Sequence, residues 1–443
     1  MCSPNMKIVL SLLVLLGLYF FSDALDLYRH RSHEKRYYRG YKVLRLYPSN
    51  SEQLRLLHDL AESENSELDF WLPPSSVSRP VDVMIPPERF HQIKHLLTAN
   101  HIQQEILVED VDKAIENEKT PAPYSELRST SSVFFTKYQR INDIHNYLEN
   151  LAAENSPIAS ILSIGKSYEE RDLKAIKISK ETSNDKPIIW IDAGIHAREW
   201  ISIATAVYIA KELIQNYNSD PDIKSLVDTF EWYILPSVNP DGYEYSHDYN
   251  RMWRKTRSVG TSVWGCIGVD ANRNFGFKWN QGGASSNPCS DLYAGPKAFS
   301  EPETKAISEF ILARKNQVKL YIATHSYSQL WLTPWGWTSK LPDDYDDQYN
   351  LANIAVKALN SVHGTKYQIG SSTNLLYIAA GGADDWAYGV AGIKYAYTPE
   401  LRDTGRYGFV LPASQIIPSG EETFAAVKAM ALALKNELSR GLI

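Results

Sequence analysis

The sequence predicts an α/β protein in which a larger domain with a mixed, mostly parallel central β-sheet, flanked by helices, follows a smaller α+β domain. Two observations support this fold class. From about residue 129 onward, short apolar runs rich in β-branched residues alternate with longer stretches of helical periodicity. Residues 42–108 instead give the order strand, helix, strand, strand, helix, strand, which is the ferredoxin-like arrangement.

Length and composition allow two domains and exclude some classes of partner. The chain has 443 residues, of which 44% are hydrophobic, and a formal net charge of -6 at pH 7. This is enough apolar sequence for a large core. The weak acidic balance gives no sign of a nucleic-acid surface. We therefore expect no nucleic acid among the partners.

The amino terminus has the pattern of a secretory signal. Residues 8–21 are mostly apolar, follow Lys7 and precede Ser22-Asp23-Ala24, so we interpret residues 1–24 as a signal peptide. The run is shorter than the ~20 residues of a spanning helix, so an uncleaved membrane anchor is the weaker alternative. Residues 25–41 are basic, rich in His and Tyr and without periodicity, and we expect a mobile leader with no assigned role.

The smaller domain is built from four strands and two helices. We predict a helix that begins after Ser51 and another that is opened by Pro86 and Pro87. The strands fall at residues 43–47, 68–72, 81–85 and 104–108.

A connecting segment follows at residues 109–128. Its composition is acidic and then contains prolines, which predicts a short helix and an exposed linker. A trypsin-like protease that cuts after Arg128 would release a domain of residues 129–443, although Lys119 is a second candidate for the cut.

The larger domain is organised around residues 187–213. Residues 188–193 are predicted to form a buried strand, the chain turns at Gly194, and a helix begins near Trp200. His196 and Glu199 lie at this junction, where both can point at one metal ion. With 11 His and 52 acidic residues, about one His-x-x-acid match is expected by chance, so the spacing alone is weak evidence.

Further motifs give the pair a context. A second apolar strand at residues 319–324 ends at His325, and the chain also contains RMWRK at 251–255, VDANRNFGF at 269–277 and YTPELRDTGRYGF at 397–409. From about Ser129 to the carboxyl terminus, the sequence resembles the secreted zinc carboxypeptidases of the pancreatic A/B type. The smaller domain is similar to the activation prosegment of that family, which covers the active-site cleft; an independent binding domain is the alternative.

The resemblance implies one Zn²⁺ ion per chain and a set of site residues. Its metal ligands would be His196, Glu199 and His325, with Asp270 orienting the first histidine. Glu400 would be the general base, and Arg254 would stabilise the oxyanion. The residues that match substrate-binding positions of the family are Asn272, Arg273 and Tyr377 for the terminal carboxylate, Arg198 and Tyr327 for secondary subsites, Phe409 for an aromatic residue that lines the cleft, and Asp384 for the specificity pocket.

The cysteines fit an exported protein. Of the three, Cys2 leaves with the signal peptide, so Cys266 and Cys289 remain as an even pair. We predict a disulfide between them; two free buried thiols are the alternative.

Some local features are unusual. Pro399 removes a backbone donor from a predicted strand next to Glu400. The family places cis peptide bonds at positions that correspond to Ser326-Tyr327, Pro334-Trp335 and Arg402-Asp403. The interval from Tyr377 to Glu400 is one residue longer than in the mammalian enzymes, which we interpret as an insertion at residues 389–392.

The resulting interpretation is a secreted zinc carboxypeptidase zymogen, activated by a trypsin-like protease, that acts on peptides and proteins with a free C-terminal carboxylate. Asp384 favours Lys or Arg at the substrate terminus. Gly336 and Ser372 do not reproduce the other pocket residues of mammalian B enzymes, and the insertion could turn Asp384 to solvent, so an A-type preference is the runner-up. The sequence also allows an inactive secreted peptide-binding relative or a metal-dependent amidase.

Overall fold

A computed structural model describes residues 34–63, 67–121, 130–181, 185–260 and 265–442. The predicted signal peptide at 1–24, the first part of the leader, and the candidate cut after Arg128 lie outside the described residues.

The smaller domain, hereafter the prosegment, has the predicted ferredoxin-like arrangement. Its antiparallel sheet has the strand order β2-β3-β1-β4. Asn50 caps the first helix by accepting from the backbone N–H groups of Glu52 and Gln53. The elements are β1 (Lys42–Tyr47), α1 (Ser51–Glu62), β2 (Asp69–Leu72), β3 (Val81–Ile85), α2 (Pro87–Ala99) and β4 (Gln103–Val108).

The last part of the leader does not behave as the sequence suggested. We expected residues 25–41 to be mobile, but Tyr38 is only 1% exposed. The backbone N–H of Arg36 donates to the carbonyl oxygen of Tyr249 in the larger domain at 2.7 Å. The prediction of a mobile leader is therefore wrong for residues 36–41, because Tyr38 packs in an apolar cluster while Arg36, Tyr37 and Arg39 stay exposed.

The connecting segment begins with the expected short helix. This helix, α3 (Val111–Glu118), starts at Asp110, whose side chain accepts from the backbone N–H of Lys113. Val111 and Ile115 face the apolar cluster between the prosegment and the larger domain. The helix thus fixes one end of the prosegment to its neighbour.

An eight-stranded mixed sheet forms the centre of the larger domain, with the order β11-β10-β12-β9-β7-β8-β6-β5. The neighbours β8, β7, β9 and β12 are parallel in the middle of the sheet. The sequence predicts six of these strands but not the four-residue strands β10 and β11; the predicted strands lie near residues 160–164, 173–179, 188–193, 231–236, 319–324 and 394–398. The strands are β5 (Ala159–Lys166), β6 (Asp172–Ile178), β7 (Ile188–Ala193), β8 (Glu231–Leu235), β9 (Val318–Ser326), β10 (Leu330–Thr333), β11 (Gln368–Ser371) and β12 (Tyr395–Leu401).

Helices cover both faces of this sheet, which explains why β7 is apolar throughout. Ile189 and Ile191 pack on the face that carries α5 and α12, while Ile188 and Trp190 pack on the face with α8 and α11. Among the helices in the described ranges, none is long and apolar enough to span a membrane. The helices are α4 (Ile141–Glu154), α5 (Trp200–Gln215), α6 (Pro221–Thr229), α7 (Pro240–Asp248), α8 (Pro302–Leu312), α9 (Tyr345–His363), α10 (Ser372–Leu375), α11 (Ala383–Gly389) and α12 (Ile416–Ser439).

The predicted local features are present. Cys266 and Cys289 form a disulfide with their Cα atoms 5.1 Å apart. The three expected cis peptide bonds occur at Ser326-Tyr327, Pro334-Trp335 and Arg402-Asp403. The pairing of β12 with β9 has a gap at Thr398 and Pro399 with the same register on either side, and Pro399 has no backbone donor.

Candidate metal centre and active site

Neighbouring parallel strands bring the candidate site residues together at the carboxyl ends of the central strands. His196 and Glu199 follow β7, His325 lies near the end of β9, and Glu400 lies opposite His325 in β12. The chain leaves β7 at Gly194, where φ is +64° and a Cβ atom would lie 2.5 Å from Ile203 Cγ1. Only glycine fits this turn, and the turn places His196 at the carboxyl end of β7.

His196, Glu199 and His325 form a buried group with exposures of 3%, 3% and 2%. Glu199 Oε1 lies 2.6 Å from His196 Nδ1, and Glu199 Oε2 lies 3.1 Å from His325 Nδ1. The two Nδ1 atoms are 3.2 Å apart. Burial would raise the pKa of Glu199, but the two histidines outweigh it and lower that pKa, so the group carries an anionic oxygen.

This geometry fits a zinc ion. Ligand atoms from all three side chains lie within 4.8 Å of one another. Imidazole nitrogens ~2.0–2.1 Å from a tetrahedral zinc ion are roughly 3.3 Å from each other, which is close to the observed separation. His196 Nε2 is 3.1 Å from Asp270 Oδ1, which leaves Nδ1 free to bind a metal.

Asp270 connects the histidine to a buried cation. Its Oδ2 accepts hydrogen bonds from Arg254 Nε at 3.1 Å and Arg254 Nη2 at 2.8 Å. Burial would raise the pKa of Asp270, but Arg254 and His196 hold it well below its usual range. Arg254, which is 6% exposed, is thus held as a fixed positive charge beside the three candidate metal ligands.

Glu400 is a buried carboxylate that lies next to the candidate metal ligands. It is 9% exposed, and its side chain forms no hydrogen bond within the described part of the chain. Burial raises the pKa of Glu400 to about 8, with Glu199 adding to the rise and His325 opposing it. Such a group changes its protonation state near neutral pH.

Asn272 and Arg273 come from a short 3₁₀ turn that follows Asp270. Arg273 Nε donates to the carbonyl oxygen of Gly283 at 2.7 Å, while its buried Nη2 has no hydrogen-bond partner among the described residues. The ring of Tyr377 lies 5.9 Å from this guanidinium. An unpaired buried donor is costly unless something else binds it, so Arg273 is set to accept an anion.

Asp384 lies under the cleft and not in solvent. It is 6% exposed, and its Oδ2 is 3.4 Å from Ser372 Oγ. Burial raises its pKa, and within the described ranges no Lys or Arg forms an ion pair with it. The next residue, Asp385, has a separate role because its oxygens accept from the backbone N–H groups of Gly336 and Trp337.

The prosegment covers the candidate secondary subsites. Arg198 Nη1 lies 3.0 Å from each carboxylate oxygen of Asp69 in β2. Trp71, two residues further on, packs at 5.2 Å from the ring of Phe409. The hydroxyl of Tyr327 donates to Asp82 Oδ2 at 2.7 Å. Residues that could meet an approaching substrate are therefore occupied by acidic and aromatic groups of the same chain.

Two further contacts join the connecting helix and the prosegment to the larger domain. Glu118 at the end of α3 forms a buried ion pair with Arg251, with Arg251 Nε 2.7 Å from Glu118 Oε2. Arg79 donates to the backbone carbonyl oxygens of Asn374 and Leu375, just before Tyr377. Sequence reasoning missed these contacts. For the contact with Tyr327 the sequence did contain a local signal, because Asp82 interrupts the apolar run of β3.

Comparison with known proteins agrees with the geometry. Residues 144–426 match the zinc carboxypeptidase family, and residues 44–118 match the carboxypeptidase activation peptide. The chain is 52% identical over 305 residues to carboxypeptidase B of Astacus astacus, covering 69% of this chain and 99% of that protein. It is 43% identical over 392 residues to carboxypeptidase A2 of Rattus norvegicus, covering 88% and 93% of the two chains.

Solved structures give the same result. The crystal structure of thrombin activatable fibrinolysis inhibitor superposes with a TM-score of 0.82 at 35% identity, over 90% of this chain and 100% of that one. Carboxypeptidase A from Helicoverpa armigera gives a TM-score of 0.80 at 30% identity, over 90% and 99% of the two chains. This chain belongs to the zinc carboxypeptidase family: it is a peptidase preceded by a carboxypeptidase activation peptide.

Proposed function

We propose that this chain is a secreted zymogen whose processed form removes single residues from the C-termini of peptides and proteins, with a preference for Lys and Arg. Its relatives include both A-type and B-type carboxypeptidases, so the family alone leaves the preference open. The buried carboxylate of Asp384, without a cation of its own, is the observation that favours basic ends.

His196, Glu199 and His325 would hold the zinc ion, and Asp270 would keep the first histidine in the tautomer that binds metal. A zinc ion in such a site supplies Lewis acidity and lowers the pKa of a bound water towards neutrality. Glu400 would accept a proton at its carboxylate and pass it to the leaving amine. Arg254 would stabilise the oxyanion that develops on the substrate carbonyl.

The free donor of Arg273 supports recognition of a terminal carboxylate. Guanidinium groups bind carboxylates with charge-assisted hydrogen bonds, and Arg273 Nη2 is buried without a partner within the described residues. Asn272 and Tyr377 lie beside it and would complete this clamp. A substrate fixed in this way presents its last peptide bond to the metal group and its last side chain to Asp384.

The preference can be tested with peptides that end in Arg, Lys or Phe. We expect the processed enzyme to have a higher kcat/KM for Arg and Lys ends. Asp384→Ile should reduce the ratio of kcat/KM for Arg to that for Phe by about 30-fold or more, because a buried charge pair is lost. Asp384→Asn is the matched control for charge, since it keeps the shape of the side chain.

The same assay separates the competing interpretations. If the wild type prefers Phe, the A-type interpretation is correct, and if Asp384→Ile leaves the ratio unchanged, Asp384 does not select the substrate. A processed protein that binds zinc and peptides but hydrolyses none would be an inactive relative.

Latency belongs to the same proposal. Asp69, Asp82 and Trp71 lie on Arg198, Tyr327 and Phe409, so the precursor should be weakly active until a protease cuts the connecting segment. A trypsin-like enzyme is the expected activator, and Lys119 is an exposed candidate at the end of α3. Secretion, the signal peptide at 1–24, and a catalytic domain of 129–443 are part of this proposal.

A further inference from the structure

Residues 36–41, which we call the leader anchor, lie across the boundary between the prosegment and the larger domain. The Tyr38 hydroxyl donates to Asn250 Oδ1 of the larger domain. On the prosegment side, the Tyr38 backbone N–H donates to Asp112 Oδ1 at 3.0 Å, and the Val111 N–H donates to the Tyr41 carbonyl oxygen at 3.0 Å. With the Arg36 bond to the larger domain, the leader anchor thus contacts both sides of the boundary.

Tyr38 is the buried centre of this segment. It is 1% exposed, whereas the adjacent Tyr37 is 64% exposed. The Arg36 guanidinium lies 5.3 Å from the Tyr38 ring. Tyr38 belongs to an apolar cluster that contains residues of both domains, among them Trp71 of the prosegment, Val111 of the connecting helix, and Met252 and Phe409 of the larger domain.

The backbone conformation of the leader anchor fixes the position of Tyr38. The Tyr41 N–H donates to the Tyr38 carbonyl oxygen at 3.1 Å, which closes a turn that leads into β1. Gly40 in this turn has φ +77°, a conformation that side chains rarely adopt. The turn therefore directs one tyrosine inward while its neighbour stays in solvent.

We propose that Tyr249, Asn250 and Met252 form a docking site for the leader anchor, and that Tyr38 fastens the prosegment to the catalytic domain. This inference rests on the proposed latency and extends it, because the match to the activation peptide begins at residue 44, beyond the anchor. The anchor reaches the larger domain at Tyr249 and Asn250, whereas α3 reaches it through the ion pair of Glu118 with Arg251, so the two attach at different places. When two attachments act together, loss of either one speeds release by far more than its own area suggests.

The test measures release of the prosegment after a single cut. In every variant, the same recognition sequence for a site-specific protease replaces residues 122–127, because trypsin would also cut the basic leader. After the cut, size-exclusion chromatography follows the prosegment fragment that stays with the catalytic domain, and peptide hydrolysis follows the appearance of activity. The variants are Tyr38→Ala, Tyr38→Phe and Asn250→Ala, with Tyr37→Ala as the exposed neighbouring control.

We expect Tyr38→Ala to release the prosegment about tenfold or more faster than the wild type, since a buried interface tyrosine is lost. Tyr38→Phe and Asn250→Ala should each show a smaller acceleration, because both remove the bond of the Tyr38 hydroxyl and keep the ring in place. Asn250→Ala also removes the acceptor of the Met252 N–H, so Tyr38→Phe isolates the hydroxyl bond. Tyr37→Ala should match the wild type. Asn250→Ala leaves the prosegment sequence intact, so its effect cannot come from an unfolded prosegment.

The proposal is overturned if Tyr38→Ala retains its prosegment as long as the wild type, or if Asn250→Ala has no effect. The fully processed Tyr38→Ala enzyme has the same catalytic-domain sequence as the wild type, so equal final activities check that this domain folded. A fully processed wild type without carboxypeptidase activity would contradict the proposed function, while chromatography would still decide whether the anchor holds.

Discussion

Glu400 is a carboxylate whose surroundings suit proton transfer. It lies opposite His325 in the neighbouring strand, and burial raises its pKa to about 8. We expect Glu400→Gln to lower kcat by about 10²–10⁴, since the amide keeps the shape but cannot accept a proton. Steady-state kinetics of the processed enzyme check this, with the zinc content as the control. Full activity with bound zinc would remove Glu400 from the mechanism.

Glu303 lies away from the candidate active site, and its raised pKa predicts how the stability of the fold changes with pH. It is fully buried in α8, Oε1 accepts from the Tyr168 N–H at 2.9 Å, and burial raises its pKa from 4.5 to about 8. Between these values the native protein binds a proton that the unfolded chain has lost. The contribution of Glu303 to stability therefore falls as pH rises through this window.

A neutral glutamine removes this dependence. We expect Glu303→Gln to raise the free energy of unfolding by about 1 kcal/mol or more at pH 8, and to change it far less at pH 5. Urea unfolding of the precursor at the two pH values measures the difference. Glu309→Gln, on the exposed side of the same helix, is the control. Equal effects of Glu303→Gln at both pH values would contradict the prediction.

The helix α3 is a short element that joins the larger domain through apolar contacts and one buried ion pair. Arg251 is 5% exposed and Glu118 is fully buried, and breaking a buried pair costs about 3–5 kcal/mol because a charge is left unpaired. In Glu118→Ala, this cost applies only while the prosegment covers Arg251. Release after a single cut should therefore be at least about tenfold faster, measured by the same chromatography. Glu116→Ala, exposed on the same helix, should behave as the wild type.

Elements with strong periodicity were predictable, and contacts that need two domains were not. The buried run of β7 and the presence of α1 and α3 were clear from local sequence, whereas the caps Asn50 and Asp110 were not predicted. The strand β10 was missed because four residues are too few to show a period. The match of His196, Glu199 and His325 to a family motif located the metal group, whereas the partners of Arg198 and Tyr327 depend on docking of a separate domain.

For the whole molecule, metal and prosegment control activity in different ways. The buried ligand group predicts that a strong chelator abolishes hydrolysis by the processed enzyme and that added Zn²⁺ restores it. The uncut precursor should stay weakly active even with zinc bound, because the residues proposed to bind substrate are covered. Activity assays with metal analysis on both forms check this. A precursor as active as the processed enzyme would contradict latency.

Arg79 holds the edge of the cleft through the backbone oxygens of Asn374 and Leu375. Every residue type supplies a carbonyl, so this grip does not depend on which side chains the loop carries. Substitutions of the side chains of Asn374 and Leu375 should therefore leave this contact between the prosegment and the catalytic domain in place. In this respect the Arg79 contact differs from the ion pairs of Asp69 and Glu118, which each require an arginine side chain on the larger domain.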